Sequence, residues 1–226
     1  MGRLLFIILI GLGGLGVLVG LGVWQVQRLA WKQEMLGRIE ARIAAAPTPL
    51  PAAPDAGRDQ YQPVGLDGAI LGGELHVLVS SRASGPGYRV IVPFLTDAGR
   101  RLLLDRGFVP VAAADIARPT GAVHVVGNLH WPDERSGATP PNDHAANVWF
   151  ARDIAEMAAT LETEPLLVVA RSDTGGGVTP WPVGTAGIPN DHMQYAITWF
   201  SLALVWAGMT GLWLSRIRRG TGREVG

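Results

Sequence analysis

Residues 196–214 form an uncharged apolar run, and few folds accommodate one of that length. As a helix this run covers roughly 28 Å, close to the ~30 Å hydrocarbon core of a bilayer. It reads as a membrane span. A second run, residues 4–23, is also free of charge. It exceeds the ~7–15 residue core of a signal peptide, and no Ala-x-Ala site follows it before the polar helix begins, so it reads as an uncleaved anchor. Two spans put both termini on one side of the membrane and residues 25–194 on the other.

Basic residues set the orientation. Arg216, Arg218, Arg219 and Arg223 follow the second span, whereas Arg28, Lys32, Arg38 and Arg42 outweigh Arg3 around the first. The C-terminal cluster decides, because the approach to the second span carries Asp191 and no nearby Lys or Arg. Both termini are therefore expected in the cytoplasm and the central domain in a periplasm-like space. The lipid bilayer is the first partner.

A polar lead-in, Asn190-Asp191-His192-Met193-Gln194-Tyr195, runs straight into the second span. On a continuous helix His192, Tyr195 and Trp199 share a face. Antiparallel spans bring Trp24 to the same depth, with Arg28 and Lys32 nearby. One reading is an interfacial aromatic belt with snorkelling cations. In the other, His192 is an axial ligand or polar contact for a flat apolar ligand entering from the bilayer, imidazole being a common iron ligand in haem proteins.

The 19 basic and 19 acidic side chains balance, so no charge field points to nucleic acid. The absence of cysteine removes disulfides, thiolate metal sites, a Cys nucleophile and covalent haem attachment. There is no Gly-x-Ser-x-Gly, no phosphate-cradling loop and no His-Glu-x-x-His. His76, His124, His130 and His144 lack metal-ligand spacing, and the chain is not expected to be an enzyme.

Along the first span Gly13, Gly16 and Gly20 lie on one face and predict close packing against Ala203, Ala207 and Gly211 of the second. The helix continues through Arg42, with Gly20, Trp24, Arg28 and Trp31 on one stripe. It stops in an extended linker carrying Pro47, Pro49, Pro51 and Pro54. Strands are expected at 75–80, 88–94, 101–109, 123–129 and 166–170, with a weaker one near 61–70. Turns are expected at Ser84-Gly85-Pro86-Gly87 and Asp97-Ala98-Gly99. One helix, 154–161, is expected to start at an Asp153 cap, with Glu156 completing a capping box. The predicted fold is membrane α+β: two transmembrane helices flank a mostly antiparallel, barrel-like β domain outside the cytoplasm, with one packed helix. Its parts are the first span (1–26), a helical extension and linker (27–60), the β-rich domain (61–191), the second span (192–214) and a basic tail (215–226).

Several separated segments together resemble the surfeit-locus family of cytochrome c oxidase biogenesis proteins. They are Gly22-x-Trp24-Gln25-x-x-Arg28 with Lys32; Gly87-Tyr88 with Pro93-Phe94; Arg106-Gly107-Phe108-Val109-Pro110; and Gly127-x-Leu129 with Pro132-x-Glu134. Asn147-x-Trp149-x-x-Arg152-Asp153 and Asn190-x-His192-x-x-Tyr195-Ala196-x-Thr198-Trp199 complete the set. One departure is Phe108, where the family usually carries Trp. The resemblance implies a bacterial inner-membrane factor that helps insert haem a into the catalytic subunit of a haem-copper oxidase. A scaffold that binds no haem is the alternative, and haem a synthase is a further candidate partner. It also implies His192 as the haem-binding histidine; with His192 as axial ligand, Trp24, Tyr195 and Trp199 are expected to supply flat walls and Arg28 to pair with a propionate. Arg106 and Arg152 either serve the function directly or pair with carboxylates inside the fold, and the second reading is preferred.

Overall fold

A computed structural model describes residues 2–81 and 84–221; the end of the tail, 222–226 with Arg223, lies outside the described residues. In chain order the elements are α1 (Gly2–Ala44), α2 (Ala56–Asp59), β1 (Pro63–Ile70), β2 (Leu75–Ser81), β3 (Gly85–Thr96) and β4 (Arg101–Pro110). A 3-10 turn (Val111–Ala113), β5 (Gly121–His130), β6 (Val148–Trp149), α3 (Ile154–Leu161), β7 (Leu167–Ala170) and α4 (His192–Thr221) follow. The chain divides into two compact units, Met1–Arg38 with Ala186–Gly226, and Ile39–Thr185.

In the first unit α1 and α4 are long and apolar enough to cross a membrane. Their large side chains face outward, Leu204 being 76% exposed and Leu12 64%. Such exposure costs about 25 cal/mol per Å² in water and nothing comparable in lipid. The helices pack through a narrow seam of Ile7, Gln25 and Leu29 with Ala196 and Ala203, all buried. Small residues make that contact, Ala203 among them as expected, but the glycines are not the expected ones. A Cβ at Gly14 would stand 2.6 Å from the Trp206 indole and one at Gly22 2.6 Å from the Phe200 ring, whereas at Gly13, Gly16, Gly20 and Gly211 it would meet nothing within 4 Å. Two residues of offset rotate the contact face by about 200°. What selects it is Trp206, whose Nε1 donates to Gly11 O at 2.9 Å. The indole needs a backbone stripped of side chains.

The second unit is built on a five-stranded barrel in the order β1-β5-β7-β4-β3, closed by pairing of β1 with β3 at Gly68↔Thr96 and Ile70↔Phe94. Most pairings are antiparallel; β4 with β7 and β2 with β6 are parallel. The first half of β3 carries β2, and β2 carries β6, as a flap continuing the sheet. Strand period sorts the core into two layers. Val90, Val92, Phe94, Leu102, Leu104, Val168 and Ala170 fill the barrel. Ile91, Leu103, Leu167 and Val169 point outward and pack on Met157, Ala158 and Leu161 of α3. Each such side chain contributes about 1.5–3 kcal/mol of burial.

At α3 the expected boundaries hold, and Asp153 caps it by accepting from Glu156 N at 3.2 Å. The capping box stays half made. The Glu156 carboxylate is drawn instead to Asn142 Nδ2 at 3.0 Å and to Arg135 at 3.2 Å, while Asp153 N donates to Ala151 O. Of the turn expected at Ser84-Gly85-Pro86-Gly87, Ser84 is turn, whereas Gly85, Pro86 and Gly87 are strand, opposite Ser81, Ser80 and Val79. Gly87 is required there for packing, because the Phe108 ring lies against its Cα. Asp97-Ala98-Gly99 does turn, with Gly99 at φ 82° and Thr96 N bonded to Arg100 O.

One irregularity positions charge. β4 bulges opposite Val90 and Ile91, so that Val90 pairs with Gly107 and Ile91 with Asp105, leaving Arg106 unpaired between them. The bulge lets Arg106 and Val109, three residues apart, both lie on the barrel side.

Candidate functional site

The residues singled out at the membrane border all lie in the first unit. His192 opens α4 and is partly buried. Its Nδ1 stands 2.8 Å from Gln25 Oε1 on α1. With that amide oxygen accepting, Nδ1 carries the proton and Nε2 holds the lone pair. Gln25 is 8% exposed, a polar side chain inside the helix seam. It was quoted in the sequence motif but given no role; its signal is its place on the Gly11-Gly14-Gly22 face, where an amide must have a partner.

Around this pair the aromatic residues are open. Trp24 is 50% exposed and Tyr195 55%, whereas Trp199 is partly buried. Among the described residues, none of the three makes a ring contact with His192. Arg28 is exposed and its guanidinium lies 4.6 Å from the Trp31 ring centre, as their common stripe implies. The border therefore presents one imidazole with a fixed partner, flat apolar rings and a cation. Among the described residues no group of three His, Asp or Glu side chains could hold a bare metal ion.

The second unit contains a buried ionic network that the sequence had not joined. Asp105, fully buried, accepts from Arg89 Nε at 2.6 Å and from Arg152 Nη1 at 3.3 Å. Arg152 also holds Glu134, with Nε at 3.0 Å and its backbone N at 3.0 Å. Burial alone would raise the Glu134 carboxyl, but the Arg152 bonds and charge outweigh it and hold Glu134 below its ordinary value. Arg152 thus pairs with carboxylates inside the fold. Arg89 spans to the returning loop, donating to Trp181 O at 2.6 Å and lying 5.2 Å from that indole's centre.

Arg89, Arg152 and Trp181 border a cavity of about 190 Å³ together with Tyr61 and His130. Tyr61, at φ 68°, stacks on His130 at 5.6 Å. Burial, then the Arg152 charge, push the His130 imidazole down to about 4, so it is neutral at pH 7. Gln60 Nε2 reaches its Nδ1 at 3.3 Å. Arg106 does not follow the expectation of a carboxylate partner: its acceptors are Thr174 Oγ1 at 3.1 Å, Thr174 O at 3.0 Å and Gly175 O at 2.9 Å. Strand alternation puts it on the opposite face from its neighbour Asp105.

The family model described as the SURF1 family matches residues 13–204. Surfeit locus protein 1 of Xenopus tropicalis is 33% identical over 225 residues, covering 88% of this chain and 72% of the relative. Surfeit locus protein 1 of Homo sapiens is 32% identical over 231 residues, covering 89% and 74%. A SURF1-like protein of Monosiga brevicollis is 30% identical over 232 residues, covering 92% and 86%.

Proposed function

The chain belongs to the SURF1 family, and from that premise we propose that it is an assembly factor for a haem-copper cytochrome c oxidase, holding haem a at the outer membrane border and assisting its insertion into the catalytic subunit. The observation that carries this reading is the His192 to Gln25 hydrogen bond. Iron-ligating imidazoles usually donate their second ring N–H to a neighbouring acceptor, which fixes the tautomer and raises the basicity of the ligating nitrogen. Gln25 supplies that acceptor from the adjacent helix.

The residues fit such a cargo. His192 Nε2 is the iron ligand, Trp24, Tyr195 and Trp199 offer flat walls, and Arg28 pairs with a propionate. Bound haem a supplies the redox iron of the oxidase, and the protein's part is to hold it and release it. A single imidazole beside half-exposed rings suits a carrier that must give up its load, since affinity set by one ligand is modest. The role is not catalytic. Both termini face the cytoplasm of a bacterial inner membrane and the barrel lies in the periplasm, with the oxidase catalytic subunit as partner and haem a synthase as donor.

The exposure of Trp24 and Tyr195 also favours a second reading, a membrane scaffold that grips the immature subunit and carries no haem. Complementation of a deletion strain separates the two. With a haem carrier, His192→Ala lowers the haem a content of the purified oxidase while the catalytic subunit is still made. With a scaffold, His192→Ala leaves haem a content unchanged.

A further inference from the structure

Arg106 is 1% exposed, yet its guanidinium touches only neutral oxygens. Arg89, also buried, has Asp105, and the partly buried Arg152 and Arg118 have Asp105 with Glu134 and Glu74 respectively. Burying a cation without a counter-charge is costly, so an uncompensated one needs a reason. The bonds of Arg106 use Nε and Nη2, leaving Nη1. Burial lowers its proton affinity, but guanidinium stays charged.

Beside it is a cavity of about 260 Å³, lined by Arg106, Arg118, Glu74 and Thr120 with the apolar walls Ile70, Leu71, Val92 and Pro119. The Arg118 side chain is 3% exposed, and its Nε is buried without any acceptor. Its other nitrogens go to Glu74, Ala114 O and Ala113 O. Two guanidinium groups and one carboxylate leave one net positive charge on the lining. Asp173, the other carboxylate acting on Arg106, is exposed and accepts from Gly175 N at 2.7 Å. It is screened by water.

We propose that this cavity at the Arg106 bulge binds a monocarboxylate with a short apolar chain, the carboxylate meeting Arg106 and Arg118 and the chain lying on Ile70, Leu71 and Val92. A planar carboxylate matches a guanidinium edge, and apolar walls strengthen the pairing by excluding water. The volume accommodates about eight waters at ~30 Å³ each, which admits a small acid and excludes a macrocycle. Glu74 on the same lining disfavours a dianion. The carboxylate comes either from a free acid or from the C-terminus of a polypeptide ending in an apolar residue.

The test is calorimetric titration of the detergent-purified full chain with butyrate, with a blocked tripeptide acid ending in Val, with the same peptide as its amide, and with inorganic phosphate. Saturable binding of butyrate or of the peptide acid, and not of the amide or phosphate, is expected; which of the two acids binds identifies the source. Arg106→Gln should weaken it at least about tenfold, the worth of a charged hydrogen bond. Gly72→Leu tests the cavity without touching either arginine, since a Cβ at Gly72 meets no atom and Gly72 lines the space; it should abolish binding with the melting temperature kept. No saturation by either acid, equal binding of the amide, or undiminished binding in Gly72→Leu would overturn the proposal.

Discussion

Gln25 Oε1 lies 2.8 Å from His192 Nδ1, joining α1 to α4 through a pair of polar side chains. With the amide oxygen accepting, the bond holds the imidazole in a single tautomer and leaves the lone pair on Nε2. Gln25→Leu keeps the size and removes the acceptor, so haem a retained after purification should fall roughly tenfold or more, the usual cost of losing such a support. Gln25→Glu keeps an acceptor and should restore most of it. Equal retention in Gln25→Leu would mean that the bond only braces the helices.

Helix packing offers a test independent of any ligand. Gly14→Leu drives a side chain into the Trp206 indole, whereas Gly16→Leu points into open space. In detergent, Gly14→Leu should lower the melting temperature by several degrees, a cost of about 1–3 kcal/mol. Gly16→Leu should stay within about 0.5 kcal/mol of the parent. The reverse order would restore the Gly13-Gly16-Gly20 face as the contact.

In the barrel, Asp105 is the carboxylate on which Arg89 and Arg152 converge, and it also accepts from Gly107 N at 3.1 Å. Asp105→Ala leaves two guanidinium groups facing each other out of water. Urea unfolding should show a loss of about 3–5 kcal/mol. A loss under about 1 kcal/mol would show that solvent reaches the pair.

His130 sets a pH dependence. Its folded pKa of about 4 lies below the ordinary 6.5, so between those values the unfolded chain binds the extra proton. Stability therefore falls as pH drops from 6.5 towards 4, by up to about 3 kcal/mol, and this contribution is fully present above pH 6.5. His130→Gln should flatten that window in urea titrations at stepped pH. A slope unchanged by the substitution would assign the effect to other groups.

Much of this architecture is local and could be read from the chain. The alternation of Leu102 and Leu104 with Leu103 announces a strand buried on both faces, and Asp153 before an apolar i, i+3, i+4 pattern announces α3. Closure of β1 on β3 and the parallel β4–β7 pair join residues far apart in sequence, and no local pattern encodes them. The two-residue β6 and the four-residue α2 are too short to leave a period. Small residues marked both helices as packing, but only Trp206 and Phe200 select the face, and their reach depends on the relative rotation of the helices. At the membrane border His192 stood out through its neighbours, while Gln25 was overlooked because an amide in an apolar seam is noticed only once its partner is known. Arg106 differs from Arg152 because its partners, Thr174 and Gly175, come from a loop far along the chain that carries neutral oxygens to it, which no local pattern displays.

The most direct measurement is the visible spectrum and haem extract of the full chain purified from cells that make haem a, beside His192→Ala. We expect haem a with a Soret band in the parent and its loss or displacement in the variant, with both proteins equally folded. Haem a bound identically by His192→Ala, or absent from a parent that still co-purifies with the oxidase, would contradict ligation by His192 and leave the scaffold.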